Sequence, residues 1–192
     1  PGTKVVRPAG NKLTWHFLAP NVHDFMWAAD PEYRHLSKNV PNGPTLHVFY
    51  NRDENFLKEQ YEKLSASRKN DLGNDFNKYL ESVDKQWQDV LDAANTALPF
   101  GAYPYKQYSF IHGGDGGMEY PMATLLAGPG IGTVFHEWMH SWYQMMMGTN
   151  ESLYSWMDEG FTDFATNRVQ AFYRENVLMK RAANNPAYLK TL

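Results

Sequence analysis

Cysteine is absent from all 192 residues. That removes disulfides, thiolate metal sites and cysteine nucleophiles together, and it leaves the compartment undecided. No apolar run approaches the roughly 18 residues that a membrane-spanning helix needs, and no signal peptide opens the chain. The sequence starts at Pro1 rather than at Met, from which we expect a piece of a longer protein. An excess of one charge is also missing. With 18 basic and 21 acidic residues the net charge is −3, and no block of like charge stands out. Nothing therefore points to nucleic acid or to an anionic membrane surface. What the chain does have is apolar content, 43% hydrophobic and 15% aromatic, which is enough for a folded domain with a core.

Residues 1–50 read as β-rich. Lys12–Ala19, Val22–Ala28 and Thr45–Tyr50 carry β-branched and aromatic residues between Pro, Gly and Asn punctuation. They are expected to be the last strands of a β domain, or an edge sheet packed on the helical remainder of the chain. From Asn51 the pattern turns helical, over Asp53–Ser67 and Asp71–Ala97, with Leu80, Val83, Trp87, Val90 and Leu91 on one core-facing stripe. Tyr108–His112 and Met118–Thr124 read as extended. The glycine-rich Ala127–Gly132 turn lacks the Lys-Ser/Thr ending of a phosphate-binding loop. Helices are expected from Thr133 to Met147, stopped by Gly148, from Ser155 or Asp158 to about Glu175, and over Glu175–Leu192. The chain thus divides into 1–50 and 51–192, and the fold class is α+β, mostly helical with a small sheet.

The strongest chemical feature is HEWMH at residues 136–140. Positions i and i+4 of a helix share a face, so His136 and His140 can aim ring nitrogens at one metal ion. Glu137 sits about 100° further round, where its carboxylate can reach a water on the metal's open side. Random shuffling would produce this pattern roughly once in 80 sequences of such composition, so the motif needs support. Glu159 supplies it. It follows His140 after 18 residues, past the turn-forming Gly148, Thr149 and Asn150. A helix–turn–helix return of that length can bring a third, carboxylate ligand back to the histidines and leave the fourth position for water. Each histidine should pass its other N–H to an acceptor, for which Asp163, one turn after Glu159, is a candidate. His16, His23, His35, His47 and His112 show no ligand spacing.

HEWMH, Trp142 two residues beyond it, and WMDEG at 156–160 resemble the gluzincin aminopeptidases of the aminopeptidase N and leukotriene-hydrolase type, and GGMEYP at 116–121 resembles that family's exopeptidase motif. The likeness covers about residues 44–175. It implies a thermolysin-like zincin domain after the last strands of a β domain, with one Zn²⁺ per chain held by His136, His140 and Glu159 and with Glu137 as general base. It further implies that Glu119 binds the free α-amine of a peptide substrate, with Gly116, Gly117 and Met118 beside the substrate backbone. The implied partners are peptides with a free N-terminus and the remaining domains of a full-length protein. The resemblance makes a bacterial envelope enzyme the expected setting and leaves a cytoplasmic one open.

The sequence departs from the family at Tyr120 and Asp158, where the family has Asn, and at Gln144 and Met145, where it has Gly-Asn. The family's oxyanion-stabilising tyrosine lies roughly sixty residues beyond the third ligand, and this chain ends 33 residues after Glu159. Loss of an oxyanion donor costs about 10²–10³ in rate, so the chain by itself is expected to bind zinc and to be weakly active or inactive. Two other functional classes stay open at this point. One is a gluzincin endopeptidase or epoxide-hydrolase relative, and the other is a non-catalytic zincin-like scaffold.

Overall fold

The computed structural model describes residues 3–6, 10–95, 103–114 and 116–184. Strands β1 (Thr3–Val6) and β2 (Thr14–Phe17) pair with each other as an antiparallel two-stranded sheet. The main sheet has five strands in the order β3-β4-β5-β7-β6. These are β3 (Tyr33–Asn39), β4 (Thr45–Asn51), β5 (Gln107–His112), β6 (Gly117–Tyr120) and β7 (Ala123–Leu126). β4, β5 and β7 run parallel, and the edge strands β3 and β6 are antiparallel to their neighbours.

The helices follow local signals. Asp53 caps α1 (Glu54–Glu62) by accepting the Phe56 N–H, Ser65 caps α2 (Ala66–Asp71), and Asp75 caps α3 (Phe76–Ala94). α3 carries the expected stripe. Leu80, Trp87, Val90 and Leu91 are buried, and Val83 packs against the same core. β4 alternates as a half-buried strand must, with Leu46, Val48 and Tyr50 turned inward. Tyr50 stacks on Trp87 at 5.7 Å between ring centroids. The remaining helices are α4 (Ile131–Met139), α5 (Gln144–Met147), α6 (Ser155–Tyr173) and α7 (Met179–Asn184). α4 joins the core through Val134, Phe135, Trp138 and Met139, and α6 through Val169 and Tyr173. The architecture is therefore mixed helix and strand with a small sheet, and among the described residues no helix is long and apolar enough to cross a membrane.

Several elements differ from expectation. Val22–Ala28 is not a strand, and Phe25 and Trp27 stand exposed. β3, which the sequence pattern did not announce, pairs along its whole length with β4. The division expected at residue 50 therefore falls inside β4, and the sheet takes strands from both sides of it. Met118–Thr124 is a hairpin rather than one extended piece, turning at Pro121–Met122 with Met122 at φ 62°. The expected helix 133–147 is three segments. α4 passes into a single 3₁₀ turn at His140–Trp142, and Tyr143 (φ −123°, ψ −72°) breaks it before α5. The Tyr143 ring packs on Phe161 of α6 at 4.6 Å, a contact that a straight helix would forgo. Gly148 ends α5 at φ 61°, the left-handed conformation that glycine adopts without cost. After α6 a π-helical turn, Arg174–Leu178, leads into α7. The expected end of α3 at Ala97 and the last part of the helix expected over 175–192 lie outside the described residues.

Trp87 is 1% exposed at the centre of the helix–sheet contact. Trp87→Ala should cost about 3–5 kcal/mol of stability in urea denaturation. A loss below ~1 kcal/mol would remove α3 from the core.

Candidate metal centre

α4 and α6 meet at the polar end of the core. On α6 the residues facing inward are Asp158, Thr162, Thr166, Val169 and Tyr173, spaced at helical period. The first three are polar, and the upper two of them touch His140, the residue that caps the C-terminus of α4. Asp158 Oδ1 lies 2.6 Å from His140 Nδ1, and Thr162 Oγ1 lies 3.3 Å from the same nitrogen. Asp158 is 3% exposed and His140 1%. Asp163 Oδ1 lies 3.1 Å from His136 Nδ1. A carboxylate accepts only from a nitrogen that carries hydrogen, so these contacts place the proton of each neutral ring on Nδ1 and leave both Nε2 atoms as acceptors.

Those two acceptors face one another and Glu159. The Nε2 atoms of His136 and His140 are 3.1 Å apart. Glu159 Oε2 lies 3.1 Å from the first and 3.8 Å from the second. Three lone-pair atoms converging in this way repel unless a cation sits among them. Tetrahedral Zn–N and Zn–O bonds of ~2.0–2.1 Å require ligand–ligand edges of roughly 3.3 Å, and the three separations bracket that value. The donor set of two imidazoles and one carboxylate also suits zinc. The residues fit the ion.

Glu137 lies beside this triangle. It is 5% exposed, and its Oε2 has no hydrogen-bond partner. Burial, and then the charges of Glu119, Glu159 and Asp158, push its carboxyl up to about 8. The Tyr108 hydroxyl donates to the Glu137 carbonyl at 3.3 Å and ties this stretch of α4 to β5. Glu119, on the edge strand β6, approaches His140 Nδ1 to 3.8 Å, and its side chain is 12% exposed. Oxygens of Glu119 and Glu137 and a nitrogen of His140 lie within 4.8 Å of one another. Burial raises Glu119 above the ordinary carboxyl value, and the Asp158 and Glu159 charges add to this against the opposing pull of His140. Asp158 rises to about 6, by burial first and then by the charges of Glu159 and Glu151. Burial lowers His140, with Glu119 pulling the other way, which favours the neutral, ligand-competent imidazole.

The sequence-predicted residues therefore come together: His136, His140 and Glu159 as one triangle, with Glu137 and Glu119 at its side. Gly117 has a structural reason to be glycine, because a methyl group there would overlap the Glu137 carboxylate. Gly116 and Gly117 also border an open groove of about 490 Å³ with Ala127, Gly128 and Thr133. Met118 is half exposed at 43%. A larger cavity of about 590 Å³, bounded by Phe135, Gln170, Arg174 and Arg181, contains none of the ligand residues. Thr162 and Tyr108 were missed from sequence. The helical spacing of Thr162 from Asp158 was an available signal for the first, and nothing local announces the second. No protein-family model matches this sequence, and no curated protein matches it.

The geometry makes two measurable demands. A carboxyl that holds its proton more tightly folded than unfolded contributes stability that is complete below its unfolded value, near 4.5, and lost as pH rises through its folded value, about 8 for Glu137. With a chelator present, Glu137→Gln should therefore melt higher than the parent at pH 8, and the difference should vanish towards pH 4.5. A pH-independent difference in thermal melts would contradict this. Gly117→Ala should displace the flexible end of Glu137 rather than the fold. Melting temperature should change by only a few degrees, while any Glu137-dependent hydrolysis falls at least tenfold. Unchanged hydrolysis would mean that Glu137 works from another position.

Proposed function

We propose that this chain carries the zinc centre of a gluzincin aminopeptidase, within a thermolysin-like zincin domain. The observation that supports the reading best is the convergence of three acceptor atoms, from His136, His140 and Glu159, whose tautomers and orientations are set by Asp158 and Asp163. When bound there, zinc supplies a Lewis acid and lowers the pKa of a water to ~7.

The protein's own groups do the rest. Asp158 and Asp163 hold the Nδ1–H of the two histidines, so that both Nε2 atoms stay available. Glu137, unpaired and buried beside the ligands, takes a proton from the attacking water and passes it to the leaving amine. Glu119 projects from β6 towards the same space, with a carboxylate suited to the ammonium group of a substrate N-terminus. β6 is an edge strand with one free side, against which an extended peptide can pair. A buried acidic surrounding of this kind rejects a substrate lacking the positive charge, and that rejection confines cleavage to the first residue.

Purified protein should retain close to one zinc per chain by metal analysis, and His136→Ala or Glu159→Ala should lose it. Glu137→Gln should keep the zinc and lower turnover of an aminoacyl-nitroanilide by about 10²–10⁴. Glu119→Ala should abolish preference for a free over an N-acetylated peptide. Equal handling of the two peptides by the parent protein would defeat the aminopeptidase reading and leave an endopeptidase, whereas absence of zinc would leave a scaffold.

A further inference from the structure

Gln144 is the first residue of α5, 1% exposed, in the segment where this chain departs from the resembling family. Its Nε2 donates to Glu151 Oε2 at 2.6 Å. Glu151 lies in the turn that connects α5 to α6, the stretch that must fold back for Glu159 to reach the histidines. Asp158, seven residues further on, stands in the first turn of α6. The Gln144–Glu151 bond and the Asp158–His140 bond thus tie the connection between the helices to the HEWMH side at two points.

The turn has few other anchors of this kind. Asn150 accepts the Leu153 N–H through its side chain at 3.2 Å and the Tyr154 N–H through its carbonyl at 2.9 Å. Both bonds are internal to the turn and fix its shape without fixing its place. Gln144–Glu151 is the bond that ties the turn to the HEWMH side. Its donor is buried where water cannot replace it, and a buried hydrogen bond to a charged acceptor is among the stronger ones. If Glu151 let go, the turn and the first turn of α6 behind it could shift, and Asp158 would move with them from His140. The imidazole would then be free to change tautomer or rotate, and its Nε2 would leave the ligand triangle.

We infer that Gln144 and Glu151 are positioning residues for the metal centre, holding the α5–α6 turn and Asp158 so that Asp158 keeps His140 in its ligand orientation. This rests on the zinc reading above. It concerns residues that touch neither the ion nor a substrate and that the HEWMH motif does not include.

The test is zinc affinity, measured by competition with a chromophoric chelator on variants whose circular dichroism matches the parent. Glu151→Ala should weaken zinc binding about tenfold, the lower end of the range for groups that orient a ligand. Gln144→Met, close in volume but unable to donate, should do the same and serves where Glu151→Ala does not fold. Glu151→Gln, which still accepts from Gln144, should restore most of the affinity. In an Asp158→Asn background, Glu151→Ala should add nothing, because the effect passes through Asp158. A purely structural role predicts a lower melting temperature with unchanged affinity, and that result overturns the inference, as does full additivity with Asp158→Asn. A parent protein that takes up no zinc sinks the zinc reading itself, whereas a zinc-binding parent with indifferent Gln144 and Glu151 variants sinks this inference alone.

Discussion

The geometry of the candidate site depends on the hydrogen bond between Asp158 and His140 Nδ1. At 2.6 Å and with both partners almost fully buried, it crosses from α6 to the end of the HEWMH helix. It determines which nitrogen of His140 is left to face His136 and Glu159. Because Glu159 is the next residue on α6, the same bond fixes the register in which the third carboxylate arrives. A slip of α6 by one residue would rotate its inward stripe by about 100°. That would remove Asp158, Thr162 and Glu159 from the site at once. The geometry of the centre therefore depends on helix–helix register, and the register is held by a polar bond rather than by apolar packing alone.

That arrangement has an electrostatic consequence. Glu119, Glu137, Asp158, Glu159 and Asp163 surround two imidazoles, and no lysine or arginine ion pair reaches them among the described residues. Buried carboxylates in one another's field cannot all ionise without cost. The upward displacement of Glu137, Glu119 and Asp158 comes from burial first and from neighbouring carboxylate charges after it. A divalent cation at the triangle would relieve this repulsion. Relief of repulsion would then contribute to the binding of such a cation, and anything that binds only the folded chain adds to its stability.

How much of this was legible in the sequence depends on whether the signal is local. His136, Glu137 and His140 were readable because an i, i+4 pair is a property of one helix. Glu159 was readable through the turn residues before it, and Asp163 through its one-turn spacing. β3 was not readable, since Arg34, His35, Ser37, Lys38 and Asn39 resemble a loop and become a strand only by pairing with β4. Val22–Ala28 misled in the opposite direction, because its apolar residues find no strand partner. The break at Tyr143 was invisible because its cause, the Phe161 ring, is 18 residues away in sequence. The β6–β7 turn was hidden because Met122 adopts a positive φ that its residue type does not announce.

α6 shows the same dependence on distant partners within a single helix. Periodicity assigns apolar residues inward, yet at its first two turns the inward residues are Asp158 and Thr162, while Trp156 and Phe164 are 64% and 67% exposed. The helix is inverted where it meets His140 and ordinary where Val169 and Tyr173 meet the core. Its amphipathic signal is weak because the two halves cancel. An inverted half costs stability unless its buried polar atoms find partners, and here Asp158 and Thr162 find theirs in His140. The inversion is thus a physical mark of the site in its own right. A helix whose polar residues turn inward over two turns must meet polar partners there, and in this chain that partner is His140, which both Asp158 and Thr162 reach.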